Sequence, residues 1–208
     1  MNKAVNPTLL GPILLALALT GCSASNLLGP SGSPPKIYTL SAPREVASSA
    51  PQANWQLLIA MPGAGANLNS TRIAIIPAPS RMDYYADVTW ADRPPAMLQE
   101  LLLQSFDRSG RIAAVQKQSG GFKSDFLLTS EIEDFEVDNA AAEPGAHIRV
   151  AARLVRSRDR AIVAARNFEA TVPSGNSFDG AIAAFDSGLQ SVLPQIVDWT
   201  LTQGSQHP

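Results

Sequence analysis

With one cysteine, two histidines and no excess of charge of either sign, this chain has little equipment for chemistry. Cys22 stands alone, so no intramolecular disulfide forms and the fold depends on its core. His147 lies inside a strand candidate and His207 in the last two residues, and no cluster has metal-ligand spacing, so no metal site is expected. A Ser-His-Asp triad would have to rest on His147 alone, and the strand-turn-helix signature Gly-x-Ser-x-Gly is absent. No Gly-x-x-x-x-Gly-Lys-Ser/Thr loop occurs either, so the chain cannot hydrolyse ATP in the P-loop manner. Gly63-Ala64-Gly65 resembles the start of a dinucleotide loop, but Leu68 stands where the third glycine belongs, and the segment reads as a turn. A net charge of −2 provides no basic field for nucleic acid or for an anionic membrane surface. The sequence therefore predicts a non-enzyme without cofactor or metal.

Long apolar runs are lacking too, which gives meaning to the short one at the start. Lys3, the stretch Ile13 to Leu19, and Leu19-Thr20-Gly21-Cys22 form the three parts of a bacterial lipoprotein leader. The run is well short of the roughly 20 residues that span a bilayer, so it reads as an export signal cut before Cys22. The cysteine thiol would carry a diacylglyceryl group, and two or three acyl chains anchor permanently where one chain binds reversibly. Residues 1–21 are thus expected as signal peptide and 22–35 as the lipidated cysteine with a Ser/Gly/Pro tether. A domain of residues 36–203 and a disordered tail of 204–208 follow. Ser23 follows the cysteine where an Asp would retain the protein at the inner membrane. The expected location is therefore the periplasmic face of the outer membrane.

The elements follow from pattern. Lys36 to Leu40, Trp55 to Met61, Arg72 to Ile76 and Ile112 to Val115 are short strand candidates. Asp92 is the expected N-cap of a helix over Arg93 to Ser109, with Pro94 and Pro95 in its first turn and Gly110 ending it. Three longer strands are expected at Asp125 to Val137, Ala146 to Arg156 and Ala161 to Val172, the last two joined by a turn at Arg158-Asp159. In the first, Phe126, Leu128 and Ile132 are out of phase with Phe135 and Val137, which predicts a bulge near Glu133-Asp134. Phe178 to Thr202 is a second amphipathic helix, with Pro194 expected to kink it or force a local adjustment. The fold class is α+β, a mixed, largely antiparallel sheet with two helices packed on one face.

Two surface features compete for function. Glu131, Glu133, Asp134, Glu136 and Asp138 cluster on one strand, and Arg149, Arg153, Arg156, Arg158 and Arg160 lie on the neighbouring hairpin. Cross-strand ion pairs account for both, and the acids would protect an edge strand. The segment from Pro77 to Pro94 is too dense in proline and aromatics for a regular element. Its residues Tyr84, Tyr85, Asp87, Trp90, Asp92 and Arg93 have the amphipathic character of a protein interface. Aromatics also pin long loops to a core, and both readings of the segment stand at this point.

As an ordered set the motifs resemble a known family. They are the lipobox, I-Y-x-L at Ile37 to Leu40, R-I-A-I-I-P-x-P from Arg72, M-D-Y-Y-A from Met82, W-A-D-R-P from Trp90, F-E-A-T-V-P from Phe168 and V-D-W-T-L from Val197. Together they resemble the auxiliary lipoproteins of ABC-type transporters that work with periplasmic MCE-domain proteins, relatives of the paraquat-inducible lipoprotein. The resemblance implies a non-catalytic part in envelope transport of lipids or other hydrophobic molecules, docked on an MCE-type subunit and energised by a separate ATPase. A homo-oligomer would suit a ring-shaped partner, although no residue demonstrates one. Other readings are an envelope assembly scaffold, a binding module that carries lipid in a cavity between sheet and helices, and a hydrolase using His147.

Overall fold

A computed structural model describes residues 34–119 and 121–207. The leader, Cys22 and the tether as far as residue 33 lie outside the described residues. The sheet is built around one strand. β8 (Phe126–Asp138) carries β9 (Gly145–Arg156) along one edge, and β10 (Ala161–Pro173) continues outward from β9. Both of these long ladders are antiparallel. The other edge of β8 is tiled, in parallel, by three short consecutive strands: β2 (Ala53–Ile59) opposite Phe126 to Leu128, β3 (Gly63–Ala64) opposite Glu131 and Ile132, and β4 (Ala74–Ala78) opposite Glu136 to Asp138. β7 (Ile112–Lys117) adds in parallel outside β2, and β5 (Arg81–Tyr84) pairs antiparallel with β4. A separate pair joins β1 (Lys36–Tyr38) in parallel to β6 (Val88–Trp90).

The two helices are α1 (Pro94–Ser109) and α2 (Phe178–Gln206). They touch each other, α1 against β7 and β2, and α2 against β10, β9, β8 and β2. The fold is thus α+β with a mixed, curled sheet, as the order of elements predicts. The expected bulge is present: the β8–β9 register shifts between Ile132 and Asp134. That extra residue turns Phe135 and Val137 inward, and both join Phe126, Leu128 and Ile132 in one core. Among the described residues the core extends from Leu40 to Leu201 as one cluster. No helix among the described residues is long and apolar enough to cross a membrane.

Four expectations change. The strand expected at Arg72 to Ile76 is present as β4, but the stretch from Pro77 to Pro94 is not irregular, since the end of β4 and all of β5 and β6 lie within it. Pro77 is tolerated because it falls where the β4–β5 register shifts, between Ile75 and Ala78, and its missing N–H breaks no regular ladder. β8 is interior and not an edge, so its acids guard no edge; the outer strands include β7, β10 and β5. Asp92 stands one residue before the cap of α1. Arg93 occupies the cap position with extended backbone, while Asp92 Oδ1 accepts the Arg93 N–H at 2.7 Å. Gly110, at φ +60°, ends α1 as glycine alone does cheaply. Finally, α2 runs through Pro194 to Gln206 and includes most of the supposed tail. Its last turns are held by tertiary packing: Leu201 is buried and Gly204 lies flat against the Trp55 indole.

Candidate partner-contact segment

The segment from Arg81 to Arg93 is held mostly by its own chain. Tyr84 OH donates to the Asn67 carbonyl at 3.1 Å, and the Arg72 guanidinium lies 3.5 Å over the Tyr84 ring. Asp83 accepts the Tyr84 N–H at 2.8 Å and faces Arg81 at 3.3 Å. First that backbone donor and then Arg81 hold its carboxyl below the usual carboxylate range. Tyr85 meets Phe178 edge-on at a centroid distance of 4.8 Å, and burial pushes its phenol up. Tyr38 packs on the same Phe178 from β1 at 5.1 Å.

A turn then reverses the chain. Asp87 adopts φ +57°, a conformation that aspartate tolerates better than most residues, and its carbonyl accepts the Lys36 N–H at 2.9 Å. β6 is next fixed on both sides. The Trp90 N–H and the Thr89 hydroxyl donate to the Thr71 carbonyl at 2.8 and 2.7 Å, and the Ala91 N–H donates to the Tyr38 carbonyl at 2.7 Å. Trp90 is only 2% exposed, wedged against Phe185 at 5.3 Å and Phe135 at 5.8 Å.

The six candidate residues therefore separate. Asp87, Asp92 and Arg93 are exposed, Tyr84 and Tyr85 are half-buried with part of each ring at the surface, and Trp90 is core. Trp90 cannot itself touch a partner and acts as the anchor beneath the others. Arg93 Nη1 reaches Asn69 Oδ1 at 3.3 Å, which ties the end of the segment to the β3–β4 connection. Phe178 is the residue that sequence reasoning missed here. Its pattern placed it on the helix stripe, but at the first position after the Ser177 cap it projects under Tyr38 and Tyr85.

The acidic cluster resolves as expected for two of its members: Arg149 pairs with Glu133 at 3.1 Å and with Asp134 at 2.9 Å. Arg156 instead closes the β9–β10 turn on Asp159 at 2.8 Å, which with the Ala161 N–H lowers that carboxyl to about 2. Arg153, Arg158 and Arg160 form no ion pair among the described residues. His147 is half-buried, opposite Glu136 on β8 and Thr171 on β10. Among the described residues no group of histidine, cysteine and carboxylates is arranged to hold a metal ion.

Residues 38–197 match the family model for the ABC-type transport auxiliary lipoprotein component, a span from Tyr38 through the aromatic segment to the last third of α2. The chain belongs to this family. Among solved structures, this auxiliary lipoprotein is similar to protein XCC0632 from Xanthomonas campestris, at 34% identity and TM-score 0.76, over 82% of this chain and 98% of that one. The hypothetical protein CT253 from Chlamydia trachomatis shares the fold at TM-score 0.50 and 11% identity, over 73% of this chain and 99% of that one. An uncharacterised protein from Bradyrhizobium diazoefficiens is 27% identical over 169 residues, 79% of the auxiliary lipoprotein but 44% of that relative. The chain thus spans less than half the length of that relative. Membership places this chain among the auxiliary lipoprotein components of ABC-type transport.

Proposed function

We propose that the protein is a non-catalytic subunit of an ABC-type envelope transporter for lipids or other hydrophobic molecules. It is anchored by acylated Cys22 to the periplasmic face of the outer membrane. Through Tyr84, Tyr85, Asp87, Asp92 and Arg93 it docks on a periplasmic MCE-type subunit. Family membership over residues 38–197 carries the transport part of this reading. The docking part is supported by the construction of the segment. Charged side chains are presented on backbone held from both flanks, and two half-exposed tyrosines lie over the buried Trp90. A rigid surface of mixed polarity loses little entropy on binding.

The test is capture of the MCE-type subunit by the full-length lipoprotein and by the surface variants Asp87→Asn, which keeps the left-handed backbone, Arg93→Glu and their combination. Capture should fall at least tenfold for the double variant while its melting temperature stays near wild type. Undiminished capture by the folded double variant overturns docking through this segment. Trp90→Ala is unsuitable for the purpose, because a core cavity there would unfold the support along with the surface.

A further inference from the structure

A cleft lies at the other end of β8, about 30 Å from the tyrosine segment at 3.3 Å per residue between Phe126 and Glu136. Its volume is about 710 Å³, within the roughly 300–1,000 Å³ range of small-molecule sites. Trp55, Leu58, Phe122, Phe126 and Leu127 form its apolar walls. Trp55 and Phe126 stand edge to face at 5.1 Å, and Phe122, on the β7–β8 connection, leaves 58% of its surface open to solvent. Lys123, Arg156 and Arg158 also line it, against the single carboxylate of Asp125. Three cations to one anion is the reverse of the whole chain, whose net charge is −2. Arg156 is occupied by Asp159, whereas Lys123 and Arg158 form no ion pair among the described residues.

The main chain in the walls is already engaged. Leu57 to Ile59 are bonded to β7 on one side and β8 on the other, and Phe126 and Leu127 to β9 as well as β2. A peptide adding a strand would find no free edge there. What the cleft offers is apolar and aromatic surface capped by two uncommitted cations. From this geometry we infer that it binds an amphiphile with one acyl chain and an anionic head, the chain lying along Trp55 and Phe122 and the head at Lys123 and Arg158. A free fatty acid and a lysophospholipid share that chemistry.

Trp55 is one of three tryptophans, and the other two, Trp90 and Trp199, are buried in the core, so fluorescence reports on the cleft. The chain from Ser23 onward, which keeps the whole core, is titrated with stearic acid carrying a mid-chain doxyl spin label and with its methyl ester. Saturable quenching by the acid is expected, weaker for the ester and absent in Trp55→Phe. Phe122→Ser should weaken binding about tenfold, and Lys123→Glu with Arg158→Glu should remove the preference for acid over ester. Displacement by palmitate or by lysophosphatidylglycerol identifies which head group is preferred. Quenching that does not saturate, or that survives the serine and charge-reversal variants unchanged, overturns the site. Because cleft and tyrosine segment are at opposite ends of β8, Phe122→Ser leaves partner capture intact, and the two readings fail separately.

Discussion

Glu136 is a carboxyl in an uncomfortable place. It lies half-buried beside Asp134 and Asp138, with Arg149 as an opposing charge, Ala74 of β4 on one side and His147 of β9 on the other. Desolvation first, then the two like charges, push its pKa from an ordinary 4.5 to about 7, against the lowering effect of the Phe135 N–H at 2.6 Å and of Arg149. The folded chain therefore holds this proton more tightly than the unfolded chain. Stability contributed at this position falls as pH rises from about 4.5 to about 7, and stays low above that. Glu136→Gln keeps an acceptor for the Phe135 N–H but carries no charge at any pH. Thermal unfolding should show it more stable than wild type at pH 8, by on the order of 1 kcal/mol after solvent screening, and equal to it near pH 3.5, below both pKa values. An equal difference at both pH values would remove the charge as the cause. At this same scale the sequence showed which residues were unusual but not which way they point. Tyr84, Tyr85 and Trp90 read alike as neighbours in the chain. The reversal at Asp87, whose left-handed backbone no local pattern demands, sends the tryptophan inward and leaves part of each tyrosine outside.

Elements were legible where their cause is local. The β8 bulge could be read from the phase of Phe126, Leu128 and Ile132 against Phe135 and Val137, because burial on one face imposes period two. The two helices were legible from their apolar stripes. The strands β5 and β6 were not, because they exist through pairings made with other parts of the chain: Tyr84 with Ala74 of β4, and Val88 with Lys36 of β1. The C-terminal limit of α2 was missed for the same reason, since Gly204 is held in the helix by Trp55 of β2. That contact has a measurable consequence. Alanine is the better helix former by about 1 kcal/mol, yet a methyl group at Gly204 would overlap the indole, which Phe126 backs edge-on. Gly204→Ala should therefore lower stability by roughly 1–3 kcal/mol in urea unfolding. A rise in the unfolding midpoint would mean that helix propensity wins and the indole moves freely.

For the whole molecule, β1 sets the two ends apart: Lys36 to Tyr38 pair with β6, so the tyrosine segment lies beside this first strand while the cleft lies at the other end of β8. If Cys22 is the acylation site, Cys22→Ser should yield a chain that keeps its leader and shows no acyl mass by intact mass spectrometry. A processed, acylated product from this variant would move the anchor elsewhere. The tiling of β8 adds a constraint in time. Its partner β9, and β10 beyond that, follow directly in the chain and close short loops, but β2 must wait for a strand whose contact, Gln56 to Asp125, is 69 residues downstream. During synthesis the apolar run of β2 therefore emerges without its template. Until the β8 hairpin is available to receive it, that run is exposed to association with other unfolded chains.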